Sequence, residues 1–172
     1  MSSVTTSTMT LNEGYFVRRN WFDWLFAALV VMGGVFALQQ YYGAMDVYEK
    51  GILIGTIPTM IWLGWFWRPL AKLMLAVAAL SLLAIWLYQG PEGVAHIDRS
   101  DTVFGLKYLL SSQSAILWMS VLCFMATIFY WISLFAKGER DTFGTIGSRI
   151  TWVAITLALV GTMTRWFESY LL

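Results

Sequence analysis

With one histidine and one cysteine in 172 residues, this chain lacks the raw material of most metal and redox sites. A membrane cytochrome of the b type holds haem between two histidines on facing helices, and a structural zinc takes four nitrogen or sulfur ligands. His96 alone meets neither requirement, and Cys123 can form neither an internal disulfide nor a CxxC pair. Charge is equally scarce, since 12% of the residues are charged and the net charge is +1, against about 25% charged in an average soluble domain. The 11 Lys and Arg residues stand singly or in pairs, which excludes the basic field that nucleic acid requires. HExxH, GxSxG, the Walker loop and the Gly-rich dinucleotide fingerprint are missing too, so no self-contained active site is written in the chain.

What remains is apolar: 59% of the residues are hydrophobic and 17% aromatic. Five segments, at about 21–38, 52–67, 70–88, 114–136 and 150–172, approach the roughly 20 residues that cross ~30 Å of hydrocarbon. Backbone groups in lipid must bond within their own segment, so the pattern predicts an all-α integral membrane protein, a bundle of about five transmembrane helices. Residues 21–172 form that domain, with membrane lipid as its solvent and first partner. Residues 1–20 are rich in Ser and Thr without the basic-then-apolar order of a cleavable signal peptide, and read as a disordered polar tail.

Lys and Arg resist translocation, so their division between alternate connections sets orientation. Five crossings put Arg18, Arg19, Arg68, Lys72, Lys137, Arg140 and Arg149 on one side, and Lys50, Arg99, Lys107 and Arg165 on the other. The richer side is expected to be cytoplasmic, with the amino terminus inside and the carboxy terminus and the connection Gln89 to Ser112 periplasmic.

Several residues stand out locally. Asp23, among Trp21, Phe22 and Trp24, reads as a helix-start charge at the interface, with a proton site as the sharper alternative. Gln39 to Lys50 reads as a short acidic loop, and Lys137 to Arg149 as a charged loop punctuated by glycine. Cys123 reads as a small buried hydrophobe. His96, in the long outer connection, reads as a solvated loop residue; as a haem or metal contact it would need ligands from elsewhere. Arg165 and Glu168, three apart on one helical face, can pair at a helix end or meet a partner subunit. Gly33-Gly34, Gly51 with Gly55, Gly161 and the stretch Ala76 to Ala79 permit close helix contact.

Particular strings say more: FDWLFAALV at 22–30, MDVYEK at 45–50, GWFWRPL at 64–70, LSSQSAILWMS at 110–120, GSRITW at 147–152 and TRWFESYL at 164–171. Together they resemble the amino-terminal membrane portion of the proteobacterial c-type cytochrome biogenesis protein, the haem-handling membrane subunit of the system II cytochrome c synthase. The resemblance implies the bacterial inner membrane, haem as cargo, and a partner haem-lyase membrane subunit. It also implies apocytochrome c as the acceptor of haem at its CxxCH motifs. In that family the RWFESYL-like stretch is followed by a tryptophan-rich segment and haem-ligating histidines. No such segment lies in this sequence, so haem ligation by this chain alone is not expected and no catalytic residue carries over. An end at Tyr170-Leu171-Leu172, without a polar tail, fits the front part of a longer protein. The alternative reading is a non-catalytic membrane assembly subunit that grips partner helices through small-residue faces. A small permease would require a polar pathway that the spans do not contain.

Overall fold

The structure is a computed structural model that describes residues 19–43, 45–90, 93–135 and 142–171. Most of the expected tail, 1–20, thus lies outside the described residues. The chain divides into two compact units, one through Ala71 and one from Lys72.

Among the described residues the structure is helical: α1 Trp21–Tyr41, α2 Val47–Phe66, α3 Arg68–Tyr88, the short α4 Arg99–Thr102, a π-helical turn Leu106–Leu110, α5 Ser112–Phe135 and α6 Thr142–Glu168. Four of these helices, α1, α3, α5 and α6, are long and apolar enough to cross a membrane, and between 11% and 22% of each apolar window is buried within the chain. So little self-coverage leaves apolar faces that are compatible with contact to membrane lipid. The second predicted span coincides with α2, which is 20 residues long but carries Glu49, Lys50 and Pro58 and falls short of the apolarity of the other four.

In the first unit α1 and α2 pack together. Glycine makes this contact possible, because a Cβ at Gly34 would overlap Ile57 and one at Gly64 would overlap the Phe26 ring. A Cβ at Gly51 or Gly55 would meet nothing within 4 Å, so among the described residues the GxxxG pair supports no close helix contact. The residues expected to be a loop before α2 are already helical from Val47, because Asp46 and Glu49 form a capping box in which the Asp46 N–H donates to Glu49 Oε2 at 3.0 Å. One extended residue, Trp67, separates α2 from α3, and Pro69 sits in the first turn of α3, where its missing N–H costs nothing.

In the second unit α5 and α6 form the most extensive pair. A Cβ on Gly161 would lie 3.1 Å from Ala115 Cβ, and one on Gly147 would lie 3.2 Å from Tyr130 Cε1. This corrects the expected connection 137–149. Its described part, from Thr142, is the first turns of α6, and Gly147 serves close helix packing where it had read as a loop residue. The same helix stops at Glu168, short of the expected 172, and a turn follows through Leu171. Cys123 is exposed on α5, whose buried residues are Ser112, Ala115 and Ala126, so it faces away from the chain instead of into it.

The connection after α3 is folded onto the helix ends. The Arg99 side chain donates to Leu87 O at 2.9 Å and the His96 N–H to Tyr88 O at 3.2 Å, so two terminal carbonyls of α3 are satisfied. Gln89 and Ala95 form an antiparallel bridge, and Gly93 turns the chain between them with φ of 73°, a conformation that strains other residues. Leu106 and Leu110, in the π-helical turn, are buried against Ala84 and Tyr88 of α3 and Val160 of α6.

Candidate functional site

Apolar packing brings the ends of α3, α5 and α6 together, and a carboxylate lies among them. Glu168, the last residue of α6, is 5% exposed. A buried carboxylate is tolerable only with donors around it, and here each oxygen has one or more. Oε1 accepts from the Tyr88 hydroxyl at 2.6 Å and from the Ser112 N–H at 3.1 Å, while Oε2 accepts from the Ser112 hydroxyl at 2.5 Å. Arg165 Nη1 lies 3.6 Å from Oε2 on the same helix. The Ser112 contacts also answer a local need, because Ser112 opens α5 and its N–H has no intrahelical acceptor. Tyr88 is fully buried and stacks at an angle against Phe167, with ring centroids 5.9 Å apart.

Arg165 and Glu168 therefore meet as their spacing predicts, although Arg165 is 61% exposed and the close donors come from other helices. Tyr88 and Ser112 were not singled out in the sequence. The only signal for them was indirect: each stands at the boundary of an apolar segment, where a hydroxyl can reach a neighbouring helix end.

The first unit holds a second polar cluster. Asp23 is 2% exposed, and its Oδ2 accepts from the Asn20 N–H and from Arg68 Nη2, each at 3.2 Å. Its carbonyl accepts from the Trp65 indole at 2.9 Å, and Arg19 Nη1 donates to the Trp65 carbonyl at 2.7 Å with its guanidinium over the Trp65 ring. The helix-start reading of Asp23 holds, since Asn20 and Asp23 form a capping box. Burial and the arginine partner were not legible from its position among aromatics.

His96 is exposed in the connection after α3. Among the described residues no three His, Cys, Asp or Glu side chains gather as a metal site. The arrangement around Glu168 fastens three helix ends, and the hydroxyls that meet the carboxylate, from Tyr88 and Ser112, are themselves buried. No family model, curated protein or solved structure matches the chain.

Proposed function

We propose that this chain is the amino-terminal membrane scaffold of a cytochrome c synthase, which delivers haem across the bacterial inner membrane for attachment to apocytochrome c. Its task is to hold helix ends in place, and haem ligation belongs to parts of the machine outside this sequence. The observation that carries the reading is the position of Glu168. The stretch Thr164 to Leu171 is the most specific of the family-like strings, and its glutamate is the residue on which α3 and α5 are fastened. A scaffold function accounts for a buried carboxylate whose donors come from the ends of two other helices.

Five crossings belong to the same reading, α2 included. If α2 did not cross, Arg68, Lys72, Lys137, Arg140, Arg149 and Lys50 would share one side and Arg18, Arg19, Arg99, Lys107 and Arg165 the other, an almost even division. If it crosses, the division is seven to four in favour of the amino-terminal side, the asymmetry expected of an inserted bundle. The cluster around Glu168 then lies at the periplasmic face, where haem meets apocytochrome.

Coexpression with the partner haem-lyase membrane subunit and apocytochrome c, followed by affinity purification in detergent, tests this. Recovery of both with this chain, and no stoichiometric haem on the chain alone, is expected. Recovery with an unrelated membrane complex would assign it to a general assembly role, and stoichiometric haem with a bis-histidine spectrum would overturn the scaffold reading.

A further inference from the structure

Two side chains of α5 hold the π-helical turn Leu106–Leu110 against the start of that helix. Ser114 Oγ donates to the Lys107 carbonyl, and the Trp118 indole donates to the Tyr108 carbonyl at 2.7 Å. Terminal carbonyls of a helical turn need donors from outside it, because the backbone that would supply them has already left the helix. Fastened in this way, the turn and α5 border an open groove of about 340 Å³, lined by Lys107, Tyr108, Gln113, Ser114, Leu117 and Trp118. With the Ser114 hydroxyl and the indole spent on carbonyls, the lining donors left for a ligand are the Lys107 ammonium, the Gln113 carboxamide and the Tyr108 hydroxyl. Lys107 pairs with no carboxylate among the described residues, and its Nζ lies 5.8 Å from the centroid of the Tyr108 ring.

Leu117 joins this groove to an apolar stripe. Leu117, Val121, Phe124 and Ile128 recur at helical spacing and share one face of α5, and all four are exposed. The face continues through Trp131 and Phe135, exposed as well. Residues 117–128 rise about 16 Å, close to one leaflet of the ~30 Å hydrocarbon core. The stripe holds only large side chains, whereas helices that meet in lipid approach through Gly, Ala, Ser or Thr, so it suits a flexible chain better than a second helix. A cation with an amide, then aromatic side chains, then an apolar run one leaflet long follow the order of headgroup, glycerol and acyl chain in a phospholipid. The lining carries a lysine and neither Asp nor Glu, which favours a headgroup of net negative charge over one that brings its own ammonium.

We propose that this groove binds one anionic phospholipid, with its phosphate on Lys107 and Gln113 and an acyl chain along Leu117, Val121, Phe124 and Ile128. The six lining residues are distinct from those that hold Glu168, so the site is additional to the helix-end cluster. It requires a bilayer around α5 and no haem, partner subunit or apocytochrome.

The test is native mass spectrometry of the full chain in detergent, titrated with phosphatidylglycerol or with phosphatidylcholine of the same acyl chains. The first phosphatidylglycerol is expected to bind about fivefold more tightly than the first phosphatidylcholine, the ratio that corresponds to the ~1 kcal/mol of one basic side chain near an anionic surface. Lys107→Gln should remove that preference and Lys107→Arg should keep it, while Lys72→Gln, at an exposed cation on α3, should leave it unchanged. Excess glycerol phosphate, a headgroup without chains, is expected not to displace the lipid. The site is overturned by a wild type that does not distinguish the two lipids, by a preference that survives Lys107→Gln, or by an equal loss in Lys72→Gln, which would indicate general charge attraction. Displacement by glycerol phosphate would overturn the acyl-chain track and leave a phosphate site alone. None of these readings involves haem or a protein partner, so the proposed function stands or falls separately.

Discussion

The Tyr88 hydroxyl donates to Glu168 Oε1 at 2.6 Å across 80 positions of sequence, and both side chains are buried. A hydrogen bond to a charged group typically contributes about 1.5–3 kcal/mol, and deleting one partner leaves the other unsatisfied. Tyr88→Phe is therefore expected to lower the unfolding free energy in detergent by about 2 kcal/mol, with Ser112→Ala similar. Combining the two should cost less than their sum, because both act on one carboxylate. Additive costs in titrated SDS unfolding would show that the two donors serve separate structures.

Glycine substitutions separate internal packing from unused pattern. Phe26 is 1% exposed, so its ring has no room to retreat from a Cβ at Gly64. Gly64→Ala is expected to destabilise the α1–α2 pair by about 1–3 kcal/mol. Gly51→Ala and Gly55→Ala meet open space and should be neutral or stabilising by up to ~1 kcal/mol, through helix propensity. The same unfolding measurement compares all three, and a loss at Gly55 as large as that at Gly64 would assign the GxxxG face to a contact with a second molecule.

Helices were legible because apolar length in lipid leaves the backbone no alternative, and all five predicted segments coincide with helices. Their ends were less so, for reasons visible in single residues. The Asp46 and Glu49 capping box starts α2 early, a D-x-x-E pattern that reads as a capping signal once looked for. Gly147 looked like a loop residue because glycine marks both turns and close helix contacts, and only the Tyr130 ring beside it distinguishes the two. Of the candidate site, the pair Arg165 and Glu168 followed from helical spacing. Tyr88 and Ser112 did not, because no local pattern encodes a contact between residues 56 or 80 positions apart.

Side-specific labelling tests the orientation. In a Cys123→Ala background, Thr102→Cys on α4 and Thr142→Cys at the start of α6 both place a thiol at an exposed position. With the amino terminus cytoplasmic and five crossings, a membrane-impermeant maleimide admitted to the periplasm is expected to label Thr102→Cys in intact cells. Thr142→Cys should react only after the inner membrane is opened. Labelling of both in intact cells, or the reverse order, would contradict the arrangement in which α2 crosses.

Asp23 and Arg68 make an unequal pair, 2% and 52% exposed, with Arg68 Nη2 3.2 Å from Asp23 Oδ2. The buried member controls the energetics. Without Arg68 the carboxylate keeps the Asn20 N–H at 3.2 Å as a donor, whereas without its charge Asp23 needs no arginine. The half-exposed guanidinium is open to screening, so the pair contributes far less than an enclosed one would. Arg68→Ala is expected to cost about 1–2 kcal/mol in the wild-type background and under ~0.5 kcal/mol beside Asp23→Asn. The difference should shrink at high ionic strength, because salt reaches the arginine side of the contact. Equal costs in both backgrounds, measured by a double-mutant cycle in detergent, would mean that Arg68 acts through its aliphatic stem and not through its charge.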